Sequence, residues 1–369
     1  MSVRFRLRRG GACVRAVRFS YERTIKWNDN VPETGGVYAL LTLETEDGLV
    51  GVSEATLKPI WTGSSVRSII ASIEDILLPR LMDVDLGDAA AVSAAMAPIP
   101  ENMAGKTLID NACWDLRAQA AGEPLWKLLG GQREVAMSWT LTRAAPEIMV
   151  QEALAMVEQH GFKTLKLKGG QGIAIDTEAV RLIRRALGDE VVVYMDANWH
   201  YSPVEGLEFA KAIAAEGAAL VEDPWTLQPD AEFKAAHASV PVPILVDYFC
   251  NGARDAPVFI DYGARAFSIK PGRIGISDAR AMARICSQSD AAVVVGMFAE
   301  TQIGSLHTLS FASAHATGFA AESSFFLMFR DSPLTTPLRV ENGMLALPTS
   351  PGFAPLVDWA AVDRACQNV

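Results

Sequence analysis

Three acids and three lysines stand at the ends of apolar, strand-like runs. Lys166 and Lys168 close TLKLK, Asp196 closes VVVYMD, Glu222 closes AALVE, Asp247 closes VPILVD and Lys270 closes RAFSIK. Each run is apolar and β-branched until it stops on a charge. Asp196, Glu222 and Asp247 recur one strand–helix unit apart, which puts them on neighbouring strand ends. Three carboxylates with no His or Cys among them suit a hard, oxygen-seeking cation. Mg²⁺ fits such a set, with Mn²⁺ as its substitute, and keeps coordination positions for water and a substrate carboxylate. Salt bridging to nearby lysines would explain one such acid, but three in register much less well.

In a strand, alternate residues share a face. Lys166 and Lys168 therefore point inward together and leave Leu165 and Leu167 against the helices. Two close ammonium groups repel, and both repulsion and burial predict a lowered pKa for at least one, within reach of a base at neutral pH. Lys270 comes four strands later, across a barrel of eight. A proton α to a carboxylate is weakly acidic because the enediolate it leaves is unstable. A cation on the carboxylate oxygens would stabilise that charge, and a lysine on either face could remove or return the proton. This logic is borrowed from enolase-type sites, which pair a Lys or His base with Mg²⁺.

Strand C-termini converge on one face in a (β/α) barrel. From about residue 136 the chain alternates between strands and helices. The strands are MSWTL, TLKLK, VVVYMDA, AALVEDP, PILVDY, AFSIKP, VVVGMFAE and a weaker SSFFLMF. The helices between them begin on acidic, Ser/Thr or Pro residues and end on Gly. Seven or eight such units fit a barrel better than a doubly wound sheet, which rarely carries charges on so many consecutive strand ends. The first part differs. Residues 3–19 read as a strand pair, and 37–55 as a hairpin turned at Asp47-Gly48. Helices are expected over 64–83, from a Ser cap, and over 105–122, to a Gly stop. After residue 335, LRVENGMLALP reads as a hairpin turned at Asn342-Gly343, and the C-terminal stretch is expected to return to the N-terminal part. The chain thus divides into an α+β cap (1–135), a barrel (136–330) and a returning segment (331–369).

At 369 residues, half of them hydrophobic, the chain can bury a barrel core plus additions. No run approaches the roughly 20 uncharged apolar residues of a membrane helix. A net charge of −10 argues against nucleic acid or an anionic membrane as partner. RFRLRRGGACVRAVR is the Arg-rich exception. A transit peptide is one reading, but Val3, Phe5 and Leu7 alternate with arginines as in a half-exposed strand. No apolar run follows it, so export is not expected. Five scattered cysteines suit a reduced, cytoplasmic protein.

In order and spacing, these motifs resemble the enolase superfamily, specifically its muconate-lactonizing-enzyme subgroup. The matching features are K-x-K at Lys166–Lys168, D-x-N at Asp196–Asn198, E-D-P at Glu222–Pro224, Asp247, and K-P at Lys270–Pro271. GMFAETQIG (296–304) resembles the family's seventh-strand segment, and TLIDNACWDLRAQAAGEPLWKLLGG the segment before its barrel. The resemblance spans nearly the whole chain. It implies an α/β fold, a modified (β/α)7β TIM-like barrel with an α+β cap, and a homo-oligomer. It also implies metal ligation by Asp196, Glu222 and Asp247. Lys168 and Lys270 become opposed acid/bases, and Lys166 the neighbour that lowers the pKa of Lys168. Asn198 and Asp223 would support the ligands. Glu300 matches a site-facing glutamate of variable role, or serves only to orient loops.

The expected reaction is racemisation or epimerisation of a small carboxylic acid or amino-acid derivative. Cycloisomerisation and β-elimination would use the same pair of lysines. A Schiff-base aldolase, with Lys168 or Lys270 as nucleophile, and a non-catalytic binding barrel are the other readings. Tyr248-Phe249 stand where the family often has Glu-Ser, and Glu322-Ser323-Ser324 lack the Asp-x-Asp of dipeptide epimerases. Two loops, 22–36 and 54–65, are expected to set specificity. Trp27 and Trp61, with Tyr248 and Phe298, either line an aromatic pocket or pack cap on barrel. His200 and His307 read as structural.

Overall fold

The computed structural model describes residues 5–27 and 32–367. Val3 and Arg4 of the expected first strand, and residues 28–31 of the first cap loop, lie outside the described residues. The cap sheet is antiparallel, in the order β1 (Leu7–Ile25), β2 (Glu33–Thr45), β3 (Val50–Leu57). The expected strand pair within 3–19 is instead a single long strand. Its register with β2 shifts between Leu7 and Ala12, where Gly10 takes φ +68°. The Gly10-Gly11 pair therefore makes a bulge rather than a turn. The β2–β3 hairpin turns where Asp47-Gly48 predict, with Gly48 at φ +81°.

The helix Met103–Ala121 packs on this sheet and ends at Gly122 in the left-handed conformation. It also grips the barrel, because Thr107 Oγ1 donates to Arg273 O at 2.9 Å and Asn111 Nδ2 to Pro271 O at 3.2 Å. The stretch expected as one helix over 64–83 is capped by Ser65 but changes pitch. It is α over Val66–Ala71, π over Ser72–Leu77 and 3₁₀ over Leu78–Arg80. Pro79 has no N–H for a regular ladder and accounts for the end of the run.

After β4 (Glu134–Ala136), seven parallel strands follow in chain order. They are β5 (Trp139–Leu141), β6 (Thr164–Lys168), β7 (Val192–Asp196), β8 (Val221–Glu222), β9 (Ile244–Val246), β10 (Ala266–Ile269) and β11 (Ala292–Val295). Each pairs with the next, so the sheet has none of the order reversal of a doubly wound fold. It curls shut at the eighth position through two residues. Ala321 N donates to Ala136 O and Ser138 N to Ala321 O, both at 2.8 Å, while Glu322 N donates to Val295 O at 2.9 Å. The expected eighth strand SSFFLMF is instead a 3₁₀ turn, Phe325–Met328. Its apolar side chains serve the cap, where the Phe325 ring lies 5.2 Å from Tyr21 and 4.8 Å from Trp27.

The Asn342-Gly343 turn is present, with both residues at positive φ. Across it Glu341 and Met344 exchange backbone hydrogen bonds at 2.9 Å, so the hairpin closes by one bridge, while the strand that follows, β12 (Met344–Ala346), takes its main partner from β4. Further on, Cys366 bridges Val17 of β1, and Gln367 N donates to Ala16 O at 2.8 Å. Among the described residues no helix is long and apolar enough to cross a membrane.

Candidate active site

Strand β6 is buried along its whole length, lysines included. Leu165 and Leu167 face the helix layer, and Lys166 and Lys168 the barrel interior. An ammonium can stay there only if charge and hydrogen bonds replace its water. Lys166 Nζ lies 2.8 Å from Glu222 Oε1, 3.1 Å from Asp196 Oδ2 and 3.0 Å from Glu322 Oε1. Lys168 Nζ donates to Asp196 Oδ2 at 2.5 Å and to Asn198 Oδ1 at 3.2 Å. Lys270 follows β10, four strands along, and donates to Asp247 Oδ2. The three lysines and three acids named from the sequence therefore meet in one buried cluster.

The electrostatics of Lys166 are set by the carboxylates around it. Its burial would lower its pKa, but Glu222, Glu322 and Asp196 outweigh that and hold it well above the ordinary lysine range. Burial likewise opposes the charge on Asp196, yet Lys168 and Lys166 hold its pKa far below the usual carboxylate range. Asp247 is brought to about 2 by Lys270 and Arg273 against the same desolvation. Glu222 goes the other way, pushed up by burial and then by the Asp196 charge. Asp223 rises to about 8 through burial and the charges on Asp247 and Asp196. So many crowded acids cannot all ionise on the cationic charge the lysines supply.

Asp223 and Asn198 support the cluster from behind. Asp223 accepts from Asp247 N at 3.1 Å and from Tyr248 N at 2.8 Å. Asn198 N donates to Asp196 Oδ1 at 2.8 Å. Asn198, Trp199, Asp223 and Ala299 all hold positive φ without being glycine. Such strain costs of order 1 kcal/mol or more per residue and gathers at functional sites. Here it lies at the strand C-termini, on the face that carries the charges.

Above the cluster is a cavity of about 30 Å³. Trp27, Trp61, Tyr248 and Phe298 line it, as do Lys166, Lys168, Asn198, Asp247 and Lys270. Asp196 and Glu222 lie fully buried below it. Glu300 does not line it. Its carboxylate accepts from Phe298 N at 2.7 Å and from Thr308 Oγ1 at 3.2 Å, which fits the loop-orienting alternative. His307 is buried between the carbonyls of Ile303 and Asn111, as a structural residue should be.

The cavity also has residues that sequence reasoning missed. Glu322 accepts from Lys166 Nζ and, at 2.6 Å, from Tyr194 Oη. The Trp199 ring lies 4.4 Å from that of Tyr248, tilted by 36°. Arg273 Nη1 lies 3.2 Å from Asp247 Oδ1, and its Nη2 donates to Asp247 O at 3.0 Å. Lys58, at the end of β3, pairs with Glu33 at 2.8 Å and rises behind Trp27 and Trp61. A cleft of about 1110 Å³ between cap and barrel shares Trp61, Tyr248, Arg273 and Phe298 with the smaller cavity.

Residues 33–130 match the family model "Mandelate racemase / muconate lactonizing enzyme, N-terminal domain", and residues 148–361 match "Enolase C-terminal domain-like". The chain belongs to the muconate-lactonizing-enzyme subgroup of the enolase superfamily. Among its relatives, a hydrophobic dipeptide epimerase from Enterococcus faecalis is 30% identical over 308 residues, covering 82% of this chain and 86% of that one. Muconate cycloisomerase 1-2 from Acinetobacter lwoffii is 29% identical over 336 residues, 88% of this chain and 87% of that one. A crystal structure of the E. faecalis dipeptide epimerase, complexed with Mg and the dipeptide L-Leu-L-Tyr, superposes with a TM-score of 0.86. It is 27% identical and covers 95% of this chain and 99% of that chain. This member of the superfamily is accordingly an isomerase with a TIM-type barrel.

Among the described residues no three acid, histidine or cysteine side chains converge as ready ligands; Lys166 Nζ sits between the acids instead. The donors are nonetheless all carboxylate oxygens, and two of them are left over. Glu222 Oε2 and Asp247 Oδ1 are buried and accept no hydrogen bond, although Lys166 Nζ and Arg273 Nη1 lie close by. Orphaned carboxylate oxygens in a cluster short of positive charge fit a hard divalent cation.

Proposed function

We propose that this isomerase removes and returns a proton α to a substrate carboxylate, with Lys168 on one face and Lys270 on the other. The observation that carries the reading is the pair of buried ammonium groups on opposite sides of the barrel, each hydrogen-bonded to one of the three strand-end acids. Asp196, Glu222 and Asp247 would hold Mg²⁺ or Mn²⁺, supported by Asn198 and Asp223. The cation would neutralise charge developing on the substrate's carboxylate oxygens. Lys166 would keep Asp196, Glu222 and Glu322 in place, while Trp27, Trp61, Tyr248 and Phe298 exclude water and seat the rest of the substrate.

The substrate reading is a racemisation or epimerisation of a small acid or N-substituted amino acid. A free α-ammonium finds no spare acid at the eighth position, because Lys166 and Tyr194 occupy Glu322. Ser323 bonds Ser305 at 3.1 Å, and Ser324 bonds Ser138 O. Cycloisomerisation is the second reading, favoured by the relatives named as muconate cycloisomerases. We also read the chain as a cytoplasmic homo-oligomer divided at about residues 135 and 330. Its five free cysteines support a reducing compartment.

Incubation in D₂O with a broad set of chiral carboxylates, with Mg²⁺ or with EDTA, tests the proposal by NMR. Mg²⁺-dependent α-deuterium incorporation is expected with at least one class. Failure of every class, or exchange indifferent to EDTA, would overturn it.

A further inference from the structure

Three consecutive residues of the turn after β11, Met297, Phe298 and Ala299, line the cavity above the lysine–acid cluster. The residue before them, Gly296, abuts the stem of Lys270. Ala299 holds φ +57°, and its methyl group cannot hydrogen-bond the backbone there as Asn or Asp would. Such a conformation persists only where the surroundings fix it. Here much of the fixing comes from the cap. Tyr38 of β2 donates from Oη to Ala299 O at 3.0 Å. Glu54 of β3 accepts from Thr301 N at 2.8 Å, and its other oxygen takes the Thr301 hydroxyl. Both cap side chains are buried. Glu300 acts from the barrel side, accepting from Phe298 N at 2.7 Å. The two carboxylates share the N-terminal end of the helix Gln302–His315, where backbone N–H groups favour negative charge. Gly304 leaves room for them: a methyl group there would come within 2.8 Å of Glu54 Oε1 and 2.7 Å of Glu300 Cβ. Glu300 Oε1 in turn lies over Gly272, just past Lys270, where a methyl group would come within 2.5 Å of it.

We propose that Tyr38 and Glu54 are positioning residues for the reaction: from the cap they clamp the 297–301 turn, which fixes Phe298 in the cavity wall and Gly296 against Lys270. The proposal rests on the proton-abstraction reading above and adds two residues that do not themselves line the cavity. Without Glu54, the N–H and hydroxyl of Thr301 lose their buried acceptors. Without Tyr38, the Ala299 carbonyl loses its donor. Either loss removes a contact that holds the strained φ in place, and a buried group left unpaired adds its own penalty. The turn then relaxes toward ordinary backbone and takes Phe298 and Gly296 with it. The damage falls on the Lys270 side of the cavity, because Lys168 stands across the barrel on β6.

Two measurements test this, one of them free of turnover. In protein labelled with ¹³C at the methionine methyls, the Met297 signal, assigned by its loss in Met297→Leu, reports the turn directly. Tyr38→Phe and Glu54→Leu should each shift or broaden it, and leave in place the signal of Met149 on the outer helix Pro146–His160. Glu54→Gln, whose amide oxygen still accepts from Thr301 N, should keep the Met297 signal near its wild-type position. The second measurement is initial-rate α-deuterium exchange on each enantiomer separately. On the enantiomer served by Lys270, kcat should fall about tenfold in Tyr38→Phe and about 100-fold in Glu54→Leu. The other enantiomer should lose much less, and Glu54→Gln should stay close to wild type on both. A merely structural role would lower both enantiomers together, by reducing the folded fraction. A Met297 signal unmoved in Tyr38→Phe, which deletes one oxygen and leaves the ring to pack, would overturn the proposal even if Glu54→Leu does not fold. So would a moved signal with both enantiomers affected equally. If the wild-type protein exchanges no acid at all, the proton chemistry falls, and the Met297 signal alone decides whether the cap holds the turn.

Discussion

Gly296 follows β11, directly beside the side chain of Lys270. A methyl group built there would come within 2.5 Å of Lys270 Cε and 3.1 Å of its Cγ, and closer still to Ser268 Oγ. Its backbone is not in the left-handed region, so alanine adds bulk without backbone strain. Carbon atoms rest at about 3.5–4.0 Å. In Gly296→Ala the lysine stem must therefore withdraw by roughly 1 Å or more, which moves Nζ off Asp247. A misplacement of that size costs a proton-transfer step about 100-fold, whereas overpacking should cost about 1–3 kcal/mol of stability. If Lys270 serves one face only, exchange from one substrate enantiomer falls about 100-fold and exchange from the other changes far less. The assay is initial-rate α-deuterium exchange on each enantiomer separately, with thermal unfolding alongside. In a Lys270→Met background the alanine should add little, because the lysine it displaces is already gone. Equal losses on both enantiomers, or none on either, would refute the opposed-lysine argument.

Other perturbations follow from the same geometry. Glu322→Gln removes one of three carboxylates from Lys166, and kcat should drop at least about tenfold. Two carboxylates remain, so the stability loss should stay below the roughly 3–5 kcal/mol of a fully broken buried pair; wild-type turnover would show that Glu322 is only structural. Tyr38 Oη donates to Ala299 O at 3.0 Å across the cap–barrel boundary, and Tyr38→Phe should cost about 1 kcal/mol in denaturant unfolding. Glu54 is fully buried, accepting from Thr301 N at 2.8 Å, and burial raises its pKa from 4.5 to about 7. The native state then holds a proton that the unfolded chain has lost, so stability falls as pH rises from about 4.5 to about 7. Glu54→Gln lacks that slope and should gain on the wild type across this window; a constant Tm difference between pH 5 and pH 8 would contradict the assignment.

Strand-end charges were legible because they break the pattern of their own strands. Lys166, Asp196, Glu222, Asp247 and Lys270 each end an apolar run that a barrel interior would otherwise continue. Glu322 escaped because its position closes the barrel with two hydrogen-bonded residues, too few to carry a period. The apolar SSFFLMF beside it drew the strand assignment instead. Arg273 lies in the one-turn helix Pro271–Ile274 and Trp199 on a turn, both too short for periodicity to mark a side chain as inward. No pattern in the 54–65 stretch marks Lys58, and only the folding of β3 beside the first cap loop brings Trp27 to it, next to Trp61 of its own loop. The raised pKa of Lys166 was equally hidden, since its carboxylate neighbours come from β7, β8 and the closing segment.

The pairing of β1 with distant segments has a consequence for synthesis on the ribosome. Tyr21 waits for Phe329 and Val17 for Cys366, so β1 is made more than 300 residues before its last partner. At about 5–20 residues per second the cap sheet stays incomplete for tens of seconds. Trp27, which lines the pocket, lacks its Phe325 neighbour through most of that interval. Nascent chains stalled before residue 329 should therefore contain barrel strands but bind no acid.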